Sequence, residues 1–469
     1  MNRGLDTSID RESDRGIDTR IDRGSDRRIE LNIYLIAPDL TNKFHKSPKG
    51  FKIPYPIMFS TSGLQLLAAL TPERHIVKVV DETIGEKVDY DYPADLVGIT
   101  AMTTQSTRAY FIADEFRRRN KTVVMGGFHP SVCPDEALLH CDAVCVGEGE
   151  LVWKQMLLDA ENGALQLVYK AERLVSFEEV PWPDRSVVRD KRGMLKNFVQ
   201  TSRGCPFHCS FCTVIKFFGE TYRLRPVEDI VNEIKELKKS GQLKWNFVFF
   251  SDDNICGDPI YAKELFRALI PLKIRWGSQC SISIAKDKEL LALAQMSGCK
   301  ALAIGLESVS DSSLAAANKN MGKAEDYNKS VALIHKYKIA VFGLFIFGFD
   351  TDDNSVFEST LSFIHQNNLE YAMFSVLTPL PGTSFYDEFK ANGRLLHEDW
   401  AKYDFQTVVF EPKNMSAKTL QLGRYDSAKK IHTFVSIFQR VLGAKTNILF
   451  PLLFNFSLRK LYNRLPRGY

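Results

Sequence analysis

The chain has 469 residues, 45% hydrophobic and 25% charged, a globular composition long enough for about two to four domains. Its 61 basic and 57 acidic residues leave a net charge of +4, too even for nucleic-acid binding to be the default reading. The longest apolar runs, Ala340–Phe349 and Ile448–Phe456, are about half the roughly 18 residues that span a bilayer. The opening residues are charged throughout, so the nine cysteines read as reduced thiols or metal ligands in a cytoplasmic protein.

The first 30 residues contain a tandem repeat. RGLDTSIDRESD (Arg3–Asp14) and RGIDTRIDRGSD (Arg15–Asp26) agree at nine of twelve positions. Alternating Arg and Asp with almost nothing to bury predicts a disordered, self-neutralising tail.

From Leu31 short apolar strands alternate with helices. Strands are predicted within Leu31–Pro38, His75–Asp81, Leu96–Ala101, Thr122–Pro130 and Ala143–Glu150, and helices at Ser62–Leu70, Gln105–Arg119 and Leu151–Asn162. This alternation over residues 31–165 predicts a doubly wound, Rossmann-like parallel sheet with its ligand at the carboxyl ends of the strands. Thr100, Thr103, Thr104, Gly126, Gly127, His129, Gly147 and Glu148 fall at such ends.

Residues 166–195 have weak periodicity and a PWPD turn, and read as a linker. A second α/β series fills residues 196–400. Its strands are Phe198–Ser202, Phe247–Ser251, Ile274–Ser281, Ala301–Glu307, Val341–Phe347 and Met373–Thr378. Helices are predicted at Val227–Ser240, Tyr261–Ile270, Lys286–Met296, Ala324–Lys336 and Ser355–Asn367. Six βα units are fewer than a closed barrel needs, so a partial (β/α)6 TIM-type barrel is expected. Phe347, Met373 and Phe374 are expected to line its interior. Residues 401–469 form a mainly helical extension. From Arg424 onward it holds nine basic residues, including Arg424, Arg440, Arg464 and Arg467, and one acid, Asp426, interleaved with phenylalanines. That tail either packs beneath the barrel with its charges in solvent or lies on an anionic bilayer.

The sharpest chemical signal is TSRGCPFHCSFC, Thr201–Cys212. Cys205, Cys209 and Cys212 are spaced C-x3-C-x2-C on a loop just after a strand. Three thiolates on one tight loop can hold three irons of a [4Fe–4S] cluster and leave the fourth open. The alternatives are a Cys3His zinc knot with His208 and three ordinary thiols. Cys133, Cys141 and Cys145 read as packing residues rather than a second cluster. Cys256, Cys280 and Cys299 are scattered, with Cys280 on a strand facing the barrel.

With these motifs the second series resembles the radical S-adenosylmethionine (SAM) superfamily over about residues 196–390. The resemblance implies a [4Fe–4S] cluster on Cys205, Cys209 and Cys212, with SAM chelated at the open iron. It implies that Phe211 meets the adenine through its backbone. FFSDDN (Phe249–Asn254) matches the motif that holds the methionyl amine, through Asp252 and Asp253. AIGLES (Ala303–Ser308) matches the motif near the ribose and carboxylate, through Glu307 and Ser308. LTPLPGT (Leu377–Thr383) matches the sixth-strand ending. Asp252–Asp253 could instead cap a turn, and Glu307 could be a buried ion-pair partner.

Residues 31–165 resemble the cobalamin-binding domain fused to many radical SAM enzymes. The matching segments are ITAMTT (Ile99–Thr104), GGFHP (Gly126–Pro130) and VGEGE (Val146–Glu150). This implies a cobalamin site lined by Thr100, Thr103, Gly126, Gly127, His129 and Glu148. Paired glycines would let the backbone approach a flat ligand. The Asp-x-His-x-x-Gly motif that ligates cobalt in cobalamin mutases is missing from the sequence, so the lower cobalt face would be free or water-bound. Gly393–Ser416 resembles the C-terminal extension of radical SAM proteins, some of which act on polycyclic lipids such as hopanoids.

The expected enzyme abstracts hydrogen from an unactivated carbon of a small molecule or lipid with a 5′-deoxyadenosyl radical and then transfers methyl from methylcobalamin. Flavodoxin or ferredoxin would supply the electron. The competing readings are rearrangement, cyclisation or oxidation without cobalamin, a zinc-binding scaffold, and RNA modification with the basic tail on phosphates.

Overall fold

The structure, a computed structural model, describes residues 30–40, 62–188, 197–319 and 323–463. The N-terminal repeat, part of the expected linker, and Arg464 and Arg467 lie outside these residues.

The first domain is a six-stranded, all-parallel sheet of β1 (Asn32–Ala37), β2 (Ile76–Asp81), β3 (Leu96–Thr100), β4 (Thr122–Gly126), β5 (Ala143–Val146) and β6 (Val168–Lys170). Its helices are α1 (Ser62–Leu70), α2 (Ser106–Arg117), α3 (Phe128–Val132), α4 (Pro134–Leu138) and α5 (Trp153–Glu161). Burial on both faces explains why its central strands read as continuous apolar runs. Tyr34, Ile36, Val97 and Ile99 pack with Ile112 and Phe116 of α2 on one face. Ile33, Leu35, Leu96 and Val124 pack with Trp153 and Met156 of α5 on the other. The order β2-β1-β3-β4-β5-β6 reverses direction at β1, opening a crevice at the carboxyl ends of β1 and β3. Strand β6 corrects the linker expectation. It has three residues, of which Tyr169 alone is buried, too short for a period-2 signal.

The second domain is built on β7 (Phe198–Val199), β10 (Phe247–Phe250), β11 (Arg275–Cys280), β12 (Cys299–Glu307), β13 (Ala340–Phe347) and β14 (Tyr371–Val376). All pair in parallel and in chain order, giving the partial barrel expected. A short antiparallel pair, β8 (Ser202–Arg203) with β9 (Arg223–Leu224), sits beside it. Its helices are α6 (Val214–Phe218), α7 (Val227–Lys239), α8 (Pro259–Leu269), α9 (Lys288–Met296), α10 (Asp311–Ala316), α11 (Tyr327–Lys336), α12 (Val356–Gln366) and α13 (Ser384–Ala391). Asp258 caps α8 by accepting from the Ile260 and Tyr261 N–H groups, ahead of Pro259, and Asp287 caps α9 from Leu290.

Strand parity corrects two interior assignments. Phe347 meets Phe357 of α12 and stacks on Phe374, so Phe347 and Phe374 face the helix layer. The alternate, half-buried residues Leu344, Ile346 and Met373 take the inner face, beside Ala303 and Gly305. Cys280 also leaves the interior. It is buried on the side of Trp276, with its thiol directed at the Ser281 carbonyl.

The extension forms α14 (Ala417–Ile431), α15 (Phe434–Gly443) and α16 (Leu449–Tyr462). It covers the edge strand β14, which would otherwise be an open hydrogen-bonding edge. Arg440, fully buried, donates to the carbonyls of Leu369, Glu370 and Ile431. Arg424 is fully buried as well, against Gln406. These two arginines are therefore core residues, not the solvent-facing charges expected of a basic tail.

Candidate active site

The three cysteines lie on the loop between β8 and α6. Gly204 starts it with φ +85°, where a Cβ would stand 2.9 Å from the Thr221 carbonyl oxygen, so only glycine makes this turn. The Cys212 N–H donates to the Cys209 carbonyl (3.0 Å). The Ser210 N–H donates to the Ala317 carbonyl (3.1 Å) and the Asn318 side chain to the His208 carbonyl (2.8 Å), fastening the loop beside α10. Phe211 is half-buried, its ring 6.4 Å from Phe349. That contact anchors the loop on the barrel mouth.

All three cysteines are free thiols. Burial pushes Cys209 up to about 11 and Cys212 up to about 12, and raises Cys205. Such thiols ionise only when a cationic group binds them. A single zinc ion would hold its sulfurs about 4 Å apart. Among the described residues, the group of His, Cys, Asp or Glu whose ligand atoms all lie within 4.8 Å is instead His129, Cys133 and Glu136. The three loop thiols do not form such a close group, and His208, the fourth ligand of a zinc knot, is exposed.

Strand β10 delivers the next groups. One oxygen of Asp252 accepts from the Thr201 N–H (2.9 Å), the Ser202 hydroxyl (2.8 Å) and the Ser202 N–H (2.5 Å), clamping β10 to the start of the cysteine segment. This carboxylate therefore supports the chain before it rather than capping the turn after it. Its other oxygen, the Thr201 hydroxyl beside it and the Asn254 amide nitrogen facing Cys205 are all buried and make no well-formed hydrogen bond. Buried polar atoms left unpaired cost free energy, and here they cluster beside the cysteine loop, which fits a polar ligand such as a SAM headgroup. Asp253, beside the Gly204 N–H, is pushed up to about 7 by burial and by Asp252. A ligand ammonium there would restore its ionised form.

Glu307 sits on a bulge at the end of β12, at φ +59°. The bulge lays its carboxylate over Gly305, where a Cβ would be 2.4 Å from Oε1. Lys319 pairs with it at 2.7 Å, both side chains nearly buried. The pair faces the barrel mouth, so the ion-pair reading and the ligand-facing reading of Glu307 describe one position. The Ser308 hydroxyl accepts from the Ser310 N–H (3.2 Å), which spends part of its capacity on the turn.

The first domain meets this loop directly. Glu148 sends one oxygen to Arg203 (2.6 Å) and the other to Arg223 (2.8 Å), and Arg203 also pairs with Glu150 (2.7 Å), all four side chains largely buried. Glu148 is thus a bridge to the cysteine segment and not a free cobalamin contact. The segments beyond β4 and beyond β14 also touch. The Trp400 indole donates to Glu136 (2.9 Å), and a Cβ on Gly382 would stand 3.0 Å from Val132. Segments beyond the carboxyl ends of β4 and β5 therefore meet segments beyond the carboxyl ends of β7 and β14.

His129 is fully buried, with Glu136 3.6 Å from Nε2 and the Trp400 ring 5.3 Å away. It stands at the strand end beside the contact between the domains. Gly127 (φ +91°) is required by its own neighbours, since a Cβ would stand 2.7 Å from the Thr100 hydroxyl and 3.0 Å from the Ala101 backbone. Gly126 ends β4 and packs against Cys145. What fits a large flat ligand is Gly147, where a Cβ would meet nothing within 4 Å, together with the buried, unpaired hydroxyl of Thr103. Sequence reasoning missed Thr201, Asn254, Lys319, Arg203, Arg223 and Glu150. Thr201, Arg203, Asn254 and Glu150 lie inside motifs it singled out, but nothing in a sequence pairs Arg203 with Glu148.

Comparison with known proteins agrees with this geometry. Residues 199–364 match the radical SAM superfamily and residues 59–156 the B12 binding domain. The chain is 34% identical over 391 residues to bacteriochlorophyllide d C-12(1)-methyltransferase of Chlorobaculum tepidum, covering 82% of this chain and 85% of that protein. It is 28% identical over 411 residues to the hopanoid C-2 methylase of Rhodopseudomonas palustris, covering 82% and 77%. Its fold is shared with the radical SAM methyltransferase TsrM of Kitasatospora setae, at TM-score 0.67, 15% identity and coverage of 93% and 99%.

The fold and site thus define a radical SAM enzyme carrying an N-terminal cobalamin-binding domain. The chain belongs to the family of cobalamin-dependent radical SAM methyltransferases, whose cofactors are a [4Fe–4S] cluster, SAM and cobalamin.

Proposed function

We propose that this chain methylates an unactivated carbon of an apolar, ring-bearing small molecule or lipid in the cytoplasm, drawing electrons from a flavodoxin- or ferredoxin-type donor. The observation that carries the reading is the apposition of the two sheets. Glu148 and Glu150 of the cobalamin-type domain pair directly with Arg203, two residues before the first loop cysteine. A substrate in the cleft would meet both cofactor faces. When bound, the cofactors supply a radical that removes hydrogen and a methyl group that replaces it.

The chain's own part is positional. Cys205, Cys209 and Cys212 would hold the cluster. Asp253, Asn254, Thr201 and the Glu307–Lys319 pair would hold the polar end of SAM. Thr100, Thr103, Gly126 and the open backbone at Gly147 would face cobalamin. The inner face of the barrel offers Leu344, Ile346 and Met373 beside Ala303 and Gly305. Such a surface binds by apolar burial and keeps water from a reactive centre. The bacteriochlorophyllide and hopanoid methylases to which the chain is similar are named for large ring-bearing molecules, which supports this substrate class.

The test is anaerobic purification from cells supplied with cobalamin, then assay of iron, sulfide and cobalamin per chain. The expected result is about four irons and one cobalamin, and label from methyl-SAM entering the lipid fraction of an extract. Four irons without cobalamin would move the reading to radical chemistry without methyl transfer. Zinc persisting after anaerobic reconstitution with iron and sulfide would end the radical reading.

A further inference from the structure

The C-terminal helices carry an apolar face that the fold does not use. On α15, Phe434, Val435, Phe438 and Leu442 stand at i, i+1, i+4 and i+8, all exposed, Val435 by 79%. The opposite face of that helix, with Ile437, Arg440 and Val441, is buried against the barrel. On α16, Leu449 and Leu453 are likewise exposed, by 69% and 58%. The two stripes are one surface, because Phe456 of α16 lies 5.8 Å from both Phe434 and Phe438. A contiguous exposed apolar patch of this kind marks an interaction site.

Charge identifies the occupant. Between Ala417 and Asn463 there are eight basic residues and one acid, Asp426. Two of the basic residues, Arg424 and Arg440, are buried, and Lys430 is paired with Glu358. Three of the others stand at the patch, Lys445 and Lys460 exposed and Arg459 half-buried with one nitrogen donating to the His432 carbonyl. Arg459 lies 4.0 Å over the Phe434 ring, Lys460 follows one residue on, and Lys445 stands in the turn between the two helices. Cations at the rim of an apolar face suit a surface that is anionic outside and hydrocarbon within. Among the described residues no helix is long and apolar enough to cross a membrane, so the helices would lie in the interface plane.

We propose that the outer face of α15 and α16 docks the enzyme on an anionic lipid bilayer, with Phe434, Val435, Leu442, Leu449 and Leu453 entering the headgroup–acyl boundary and Arg459, Lys445 and Lys460 contacting lipid phosphates. None of these side chains belongs to the proposed cofactor sites, so docking and catalysis are separable.

The experiment is flotation of the full-length protein with phosphatidylcholine vesicles, with and without phosphatidylglycerol. The expected result is binding to the phosphatidylglycerol vesicles that weakens with salt. Val435→Ser with Leu449→Ser should cut the partition coefficient at least about tenfold, with the unfolding midpoint and SAM cleavage unchanged. Lys445→Gln with Lys460→Gln should remove the preference for phosphatidylglycerol. Failure to float, or flotation indifferent to both pairs of substitutions, overturns the proposal. So does sedimentation showing a dimer that Val435→Ser dissociates, because a second copy would then cover this face.

Discussion

The two six-stranded parallel sheets solve the same problem in opposite ways. The first reverses its strand order at β1 and obtains a ligand crevice from topology. The second runs in simple sequence order and obtains its site from curvature, at the mouth of an open barrel. They also end differently. The first stops at a three-residue edge strand, β6, while the edge of the second is buried under α14–α16. Neither device alone would bring two cofactors together. The buried contact of Glu148 and Glu150 with Arg203 and Arg223 does that, so each sheet supplies one wall of a shared site.

The comparison can be broken most completely on the barrel side. Cys209→Ala should abolish both bound iron and SAM cleavage, because no other thiol of the described chain is free to replace it on that loop. The half-buried side chain contributes little packing, so stability should stay within about 1 kcal/mol of the iron-free parent. Iron assay and denaturant unfolding of the same preparation check both halves. Next is the contact itself. Arg203→Met leaves Glu148 without one of its two partners and Glu150 without the guanidinium it pairs with, at a cost of about 3–5 kcal/mol. Urea unfolding should then separate into two transitions, one per sheet. Arg173→Met, which removes an exposed pair with Glu179, should leave a single unchanged transition. On the first sheet alone, Gly127→Ala should cost about 1–3 kcal/mol through its positive φ and the approach to Thr100. It should lower cobalamin stoichiometry while leaving iron in place, which distinguishes the walls.

These predictions draw on residues that the sequence exposes unevenly. Ten-odd strands and the three cysteines were legible because burial imposes a period and cluster chemistry imposes a spacing. Strand β6 was not, since one buried residue, Tyr169, makes no pattern. Phe347 and Phe374 read as interior because an apolar run buried on both faces carries no parity, and only the ring contact with Phe357 of α12 sets it. His129 and Glu148 fall at strand ends, where ligands are expected, and the sequence does not show what the other domain places beside them, Trp400 at His129 and Arg203 with Arg223 at Glu148. Asp252 was legible as a site residue but not as a clamp, because its donors Thr201 and Ser202 lie about fifty residues earlier in the chain. Arg424 and Arg440 looked like tail charges, and only the uncapped carbonyls ahead of β14 explain why a guanidinium is buried there.

The smallest effect concerns that covering of the barrel edge. His432, at the end of α14, is buried, its Nδ1–H donating to the Ala428 carbonyl and its Nε2 without a partner. Burial lowers its pKa to about 3, and Arg440 and Arg459 nearby push the same way. In the unfolded chain it titrates near 6.5. As pH falls below that value the unfolded chain takes up a proton that the folded one refuses, so stability drops, and the loss ends only near the folded pKa. From pH 7.5 to 5.5 this group alone should remove about 1.4 kcal/mol. His432→Gln keeps a donor for the Ala428 carbonyl and removes the titration, so its stability should be flatter than the parent's over that window. If the slope is tied to the barrel's covered edge, it appears in the second transition of the Arg203→Met protein and not in the first. A slope shared by both transitions would mean that the helical extension also supports the cobalamin-binding wall.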